Sequence, residues 1–262
     1  MGEAIAKGLR DSRGTLVIAP GDIVIAEPDV GRHERLGAGN HCVVVKTGKH
    51  AMEMLAPDGI VVVAVKPQVF PALADEIRGL TGQRLVVSIM AGKTAAQVHT
   101  GMGGACRVVR AMPNLPMTTG DGMTGVCPGP GALKPDLALT IDLFQQLGEC
   151  IEIAESQMDA FTALAASGPA YIAYFAEAMV RAGIATGFAP ELAWHIVRQT
   201  IWGAARLLSN EVSGPETLRA RVTSRGGTTA AAVAVLDAAH VSEVVVRAVT
   251  AARDRGRELS KS

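Results

Sequence analysis

Between residues 23 and 110 the chain alternates short runs of β-branched side chains with longer mixed segments. The runs are IVIA at 23–26, CVVV at 42–45, GIVVVAV at 59–65, RLVVSI at 84–89 and CRVVR at 106–110. Most are apolar at consecutive positions instead of every second one, the pattern of strands covered by helices on both faces. Short strands alternating with helical segments predict a doubly wound, Rossmann-like parallel sheet. Buried helices are a poorer reading of runs this short and this rich in valine. Residues 120–131, dense in glycine and proline, must include a loop.

Past Gly148 the period changes. Ile172, Phe175, Met179 and Ala182 recur at helical spacing, and Trp194, Val197, Ile201 and Leu208 carry a similar stripe along the next segment. The second half is therefore predicted to be all helix. Pro190 sits where a first turn tolerates it, and Ser242 is a candidate N-cap for the final helix. The charged end RDRGRELSKS reads as a solvated tail. Such stripes fit either an intramolecular bundle or the surface of a second copy. Beside a nucleotide domain the second arrangement, a homodimer, is the expectation. Trp194 and Trp202 both read as core side chains.

Composition narrows the class. The 262 residues suffice for one large or two modest domains with a sizeable core. The 25 basic and 25 acidic side chains balance, which speaks against a non-specific nucleic-acid binder. Cys42, Cys106, Cys127 and Cys150 form no CxxC pair, and the 6 histidines form no HExxH. Neither a metal site nor a disulfide framework is expected, and a reducing cytoplasm is the natural setting. No apolar stretch approaches the roughly 20 residues of a membrane span. The start, MGEAIAKGLR, lacks the apolar region of a signal peptide.

Candidate chemistry lies at three places. Met1 and Gly2, followed by EAIAKGLR, match the end of a GxGxxG fingerprint running into its helix. In that motif glycines let backbone approach a pyrophosphate, and the last one packs helix against strand. Gly2 corresponds to that last glycine; the first strand and the first two glycines are absent. Glu27 follows the run at 23–26, where an acid hydrogen-bonds a ribose and favours NAD, whereas Arg32 and Arg35 could meet a 2′-phosphate. NADH and NADPH both stay open. Second, Lys66 and Pro67 end a central strand, and Asn114 follows a further one, at the sheet edge where open α/β proteins bind ligands. Third, in Ser224-Arg225-Gly226-Gly227-Thr228-Thr229, two glycines permit unusual backbone angles before a helix that begins near Thr228. Free N–H groups there, with the Ser224 and Thr229 hydroxyls, suit a small carboxylate. The other reading is an ordinary glycine-rich turn with a threonine N-cap.

Four segments, in order, resemble those of pyrroline-5-carboxylate reductases. PETLRARVTSRGGTTAAAVAVLD at 215–237 is similar to the family's VTSxGGTT loop and following helix. VVVAVKPQVF at 61–70, RVVRAMPNLPMTTGDGMT at 107–124 and ALAASGPAYIAYFAEAM at 163–179 are similar to its VKPQ, RxMPNxP and SGPAY segments. The departures are the missing start and Arg225, where the family often has proline. The resemblance implies reduction of the C=N bond of 1-pyrroline-5-carboxylate to L-proline by NADPH or NADH, the last step of proline biosynthesis. It implies that Ser224, Gly226, Gly227, Thr228 and Thr229 hold the substrate, with Thr229 near the ring nitrogen as the candidate catalytic hydrogen-bond donor. Met1, Gly2, Glu27, Ala64, Lys66, Pro67, Ala91, Gly92 and Asn114 are the expected cofactor residues.

Residues 1–154 are then a dinucleotide-binding domain, and residues 155–262 a helical substrate-binding and dimerisation domain. The expected partners are the small substrate and further copies of the chain, as a homodimer or higher homo-oligomer through the C-terminal helices, with no nucleic acid and no membrane. Two other readings compete. One is a helical dimer or binding protein that has lost dinucleotide binding, since the missing strand is central in such a sheet. The other is a β-hydroxyacid dehydrogenase, which normally carries a catalytic lysine on a helix of its second domain; no lysine occurs between Ser156 and Leu208.

Overall fold

The computed structural model describes residues 1–11, 19, 21–40 and 42–261. All five valine-rich runs form strands: β1 (Val24–Ala26), β2 (Val43–Val45), β3 (Val61–Val63), β4 (Leu85–Ser88) and β5 (Arg107–Met112). Two further strands follow, β6 (Gly122–Pro128) and β7 (Gly148–Glu152). β1 and β2 form a parallel pair, and β3-β4-β5-β6-β7 form a second sheet in which only the β5–β6 pairing is antiparallel. No ladder joins β1 to β3 among the described residues. In a 3-2-1-4-5-6 sheet the first strand would lie between their equivalents, so the break falls where its absence is expected. The glycine- and proline-rich stretch holds a full strand as well as a loop. A Cβ on Gly125 would stand 3.0 Å from Ile153 and from Phe161, so this glycine serves packing and not a turn.

Helices α1 (Gly2–Asp11), α2 (His33–Asn40), α3 (Gly48–Met54), α4 (Phe70–Ile77), α5 (Ala95–Gly101) and α6 (Lys134–Gln145) connect these strands. β4 is buried on both faces, as its unbroken apolar run requires. On one face Val87, Val109 and Ala111 pack with Ile5 and Leu9 of α1 and Leu143 and Phe144 of α6. On the other, Val86 and Val108 pack with Met52 of α3, Phe70 and Ala74 of α4 and Val98 of α5. Each fully buried Val, Leu or Phe contributes about 1.5–3 kcal/mol.

Residue contacts divide the chain into Met1–Ser167 with Ala251–Ser262, and Gly168–Thr250. After β7 come α7 (Met158–Phe161), a π-turn (Thr162–Ala166), α8 (Gly168–Ala185), α9 (Pro190–Ser209), α10 (Pro215–Arg221), α11 (Thr228–Ala238) and α12 (Val241–Lys261). The second half is helical, as its period predicts, and Pro190 opens α9. α8 ends in a left-handed turn: Gly187 has φ +107, and Phe188 N–H donates to Gly183 O at 3.1 Å.

Three expectations need correction. Trp194 and Trp202 are not core side chains; they are 49% and 56% exposed. Ser242 is not the N-cap of α12, because the first helical bond runs from Val244 N–H to His240 O. The charged carboxyl end is solvated along Arg255, Arg257 and Glu258 but is not a loose tail. It forms the last turns of α12, with Gly256 lying 3.4 Å (from an added Cβ) from Asp159 and the Ser260 carbonyl accepting from Gln97.

Candidate active site

In the first unit β3, β4 and β5 run parallel, so residues 64–67, the Ala91–Gly92 turn and Asn114 all leave the sheet on one edge. α1 starts at this edge: a Cβ on Gly2 would meet that of Ala64 at 3.1 Å, a distance that asks the neighbour to give way. The first α1 bond is Ile5 N–H to Met1 O. The N–H groups of Gly2, Glu3 and Ala4 therefore face no helical carbonyl. Lys66 is exposed, has no carboxylate partner among the described residues, and its carbonyl accepts from Val69 in the turn into α4. A close backbone approach, unfilled helix donors and an exposed ammonium fit the pyrophosphate of a dinucleotide.

Glu27 is held at the end of β1 by its N–H bond to Val45 O. Its carboxylate accepts from Asp29 N–H at 3.1 Å and pairs with Arg32 at 2.6 Å. Arg32 and Arg35 also reach Glu3 in the first turn of α1, at 3.6 and 2.9 Å. Both guanidiniums remain well exposed. Glu3, which the sequence did not single out, thus ties both arginines to the helix start.

The Ala91–Gly92 turn is a strained position that only glycine fills easily, with φ +69 at Gly92. Asn114 stands at the same edge with both ends of its amide bonded to backbone. Its Oδ1 accepts from Met123 N–H at 2.8 Å and its Nδ2 donates to Ala165 O at 3.1 Å, so the amide joins β5, β6 and the π-turn. Burial pushes the Cys127 thiol up to about 11 and the Cys150 thiol up to about 12, so neither is a ready nucleophile.

In the second unit, Gly227 N–H donates to Ser224 O at 3.0 Å, closing a turn in which Gly226 has φ +73. That is the pattern of a type II turn, with Arg225 and Gly226 central. Any side chain at Gly227 would collide with the Ser224 hydroxyl. α11 begins at Thr228 with Gly227 as its N-cap and no side-chain cap. The threonine-cap reading therefore does not hold. The first helical bond, Ala231 N–H to Gly227 O, leaves the N–H groups of Thr228, Thr229 and Ala230 without helical partners. Ser224, Thr228 and Thr229 are exposed around them.

A partly parallel sheet with ligand-binding features at its carboxyl edge, followed by a helical unit, defines a dinucleotide-dependent oxidoreductase with an added helical domain. Residues 1–92 match the family profile described as NADP oxidoreductase, coenzyme F420-dependent. Residues 155–259 match that for pyrroline-5-carboxylate reductase dimerisation. The chain is 33% identical over 243 residues to pyrroline-5-carboxylate reductase of Synechocystis, covering 93% of this chain and 90% of the relative. A solved pyrroline-5-carboxylate reductase of Coxiella burnetii superimposes with a TM-score of 0.89 at 30% identity, covering 100% of this chain and 95% of that one. A pyrroline carboxylate reductase of Plasmodium falciparum, solved with NADP bound, gives 0.87 at 26% identity, covering 99% and 94%. The chain belongs to the pyrroline-5-carboxylate reductase family. The degraded-binding-protein and β-hydroxyacid dehydrogenase readings gain no support from these likenesses.

Proposed function

We propose that this chain reduces 1-pyrroline-5-carboxylate to L-proline with NADPH or NADH, acting as a cytoplasmic homodimer or larger homo-oligomer. The observation that carries the reading is the uncapped start of α11 behind the turn at Arg225 and Gly226, a nest of backbone donors sized for one small carboxylate. Ser224, Gly226, Gly227, Thr228 and Thr229 hold the substrate acid, and the Thr229 hydroxyl hydrogen-bonds the ring nitrogen. Residues 1–154 present the cofactor from Met1, Gly2, Ala64, Lys66, Pro67, Ala91 and Gly92; residues 155–262 bind substrate and a second copy. Asn114 shapes the same edge through its two backbone bonds.

A nicotinamide supplies hydride to the imine carbon when bound. The chain's own task is placement. A protonated imine is already electrophilic, so holding two reactants in contact can supply about 7–11 kcal/mol of barrier reduction. No acid–base dyad is needed, and water or Thr229 serves the nitrogen proton. On the adenosine side, the Glu27 carboxylate is engaged by Asp29 and Arg32, while Arg32 and Arg35 keep donors exposed. That balance favours a 2′-phosphate over a bare ribose, hence NADPH over NADH.

The test is pyrroline-carboxylate-dependent oxidation of NADPH and NADH by the purified 262-residue chain, with proline identified as product. Saturable turnover, faster with NADPH, is expected. A folded chain that binds neither nucleotide would defeat the proposal.

A further inference from the structure

The carboxyl end of α12 lies in the first unit and touches the turn after β4, and its contacts there are specific. Gly92 is buried, and a Cβ added to it would fall 2.8 Å from the Leu259 Cβ and 3.3 Å from the Leu259 carbonyl carbon. The last turns of α12 therefore rest directly on the backbone of this turn. A neighbouring side chain makes the second tie. Gln97 completes a capping box with Thr94: its Oε1 accepts from Thr94 N–H at 2.9 Å, and its own N–H donates to Thr94 Oγ1 at 3.1 Å. The other end of the same amide, Nε2, donates to Ser260 O at 3.1 Å. That carbonyl belongs to the last turn of α12, where no helical N–H remains to reach it. One amide thus caps the start of α5 and the end of α12 together.

The support extends further down α12. Gly256 lets the helix approach the Asp159 carboxylate, which stands with Glu155 beside the buried guanidinium of Arg110. Glu155 in turn accepts from Ala95 N–H at 2.7 Å. The start of α5 is thereby closed by Thr94, Gln97 and Glu155. Of the segment between β4 and α5, what remains to face a ligand is the backbone at Ala91 and Gly92, and its shape depends on residues far away in sequence.

We propose that the last turns of α12, through Leu259 and the Gln97–Ser260 bond, are a positioning strap for the Ala91–Gly92 turn, setting its fit to the nicotinamide dinucleotide. This inference rests on the reductase reading for the identity of the ligand, and on contacts alone for the strap. Gln97 and Leu259 act through the turn and touch neither reactant.

The experiment compares the wild-type chain with Gln97→Met, which keeps size and loses both amide bonds, and with Leu259→Ala. Amide hydrogen exchange at residues 91–94 and NADPH affinity by nucleotide fluorescence are measured in each. Both variants should exchange faster at this turn and bind NADPH about tenfold more weakly or worse, because a turn no longer held in its binding shape must be ordered at the expense of affinity. KM for NADPH should rise in proportion while kcat and the KM for pyrroline-5-carboxylate stay within about twofold. Gln97→Glu, which can still accept from Thr94 but not donate to Ser260, should show the same cofactor defect. Unchanged exchange and unchanged NADPH affinity in folded variants would overturn the strap. So would an equal loss of substrate affinity, kcat and oligomer, which marks general instability. A wild-type chain without NADPH binding would count against the reductase reading, whereas the strap would still stand or fall by exchange at the turn.

Discussion

The two units of this chain solve burial differently. In Met1–Ser167 two apolar clusters, one on each face of the five-stranded sheet, are sealed by α1 and α6 and by α3, α4 and α5. In Gly168–Thr250 only Ala176, Ala193 and Val197 are buried. Ile172, Tyr174, Trp194, Trp202, Val235 and Leu236 there stand about half or more exposed. A single copy exposing this much apolar surface is unusual for a soluble domain, and such faces mark interaction sites. The first unit contains its own core, whereas the second leaves the apolar faces of its helices uncovered. The match of residues 155–259 to a dimerisation family accounts for the difference. It follows that stability of the second unit should depend on protein concentration and that of the first should not.

The strongest way to break this contrast is to charge the open face. Trp194→Glu with Trp202→Glu should weaken self-association by at least about 100-fold, since buried tryptophans dominate interfaces and an unpaired carboxylate there is costly. Light scattering across a dilution series reads the effect. Undiminished assembly would mean that these helices pack against something other than a second copy.

Next in size is a core deletion on the sealed side. Phe144 is fully buried between α6 and the sheet, and Phe144→Ala should cost about 3–5 kcal/mol. Chemical denaturation should report the same loss at every protein concentration. A loss that grew on dilution would show the two units to be coupled through assembly.

The contrast also explains what could be read in advance. The valine-rich runs at 23–26, 42–45, 59–65, 84–89 and 106–110 became strands because covered parallel strands leave an unmistakable record, and the SRGGTT turn before α11 was visible from its glycines. β6 was obscured because Gly122, Gly125 and Pro128 read as turn residues, although Gly125 makes room for Ile153 and Phe161. β7 is short and mixed in polarity. The tryptophans were misplaced because helical period reveals which positions share a face and is silent on what covers it. The carboxyl end looked solvated since its charges outnumber its anchors; Gly256, Leu259 and Ser260 find partners far away in sequence. Arg110 with Glu155 and Asp159, and Gln97 with Ser260, are pairings of this long-range kind. Only the Thr94-x-x-Gln97 capping box left a local trace of them.

A smaller effect tests the candidate site within the open unit. Thr229→Val preserves shape and removes the hydroxyl. A hydrogen bond to a charged group contributes about 1.5–3 kcal/mol, so kcat/KM for pyrroline-5-carboxylate should fall roughly 10- to 100-fold. NADPH affinity and oligomer size should hold. Wild-type kcat/KM in the variant would remove Thr229 from the mechanism and leave the backbone donors of α11 to hold the acid alone.

The least perturbing change is also the most informative about how that unit is built. Arg225 occupies the second position of the turn closed by Gly227 N–H and Ser224 O, with Gly226 at φ +73 behind it. Proline is favoured at that position in type II turns because its ring fixes φ near the required value. Arg225 makes no ion pair among the described residues and is exposed, so little contact is lost on replacing it. Arg225→Pro should therefore stabilise by about 0.4–1 kcal/mol, chiefly by narrowing the unfolded chain's freedom. The substrate loop would be held more rigidly, and KM for pyrroline-5-carboxylate should fall slightly with kcat unchanged. If the variant were instead destabilised, Arg225 would be adopting a backbone angle that proline cannot, and the turn would not be of the type assigned. If it were stabilised only in concentrated protein, the loop would owe its order to the second copy, and the division between a sealed unit and an open one would extend to the substrate site itself.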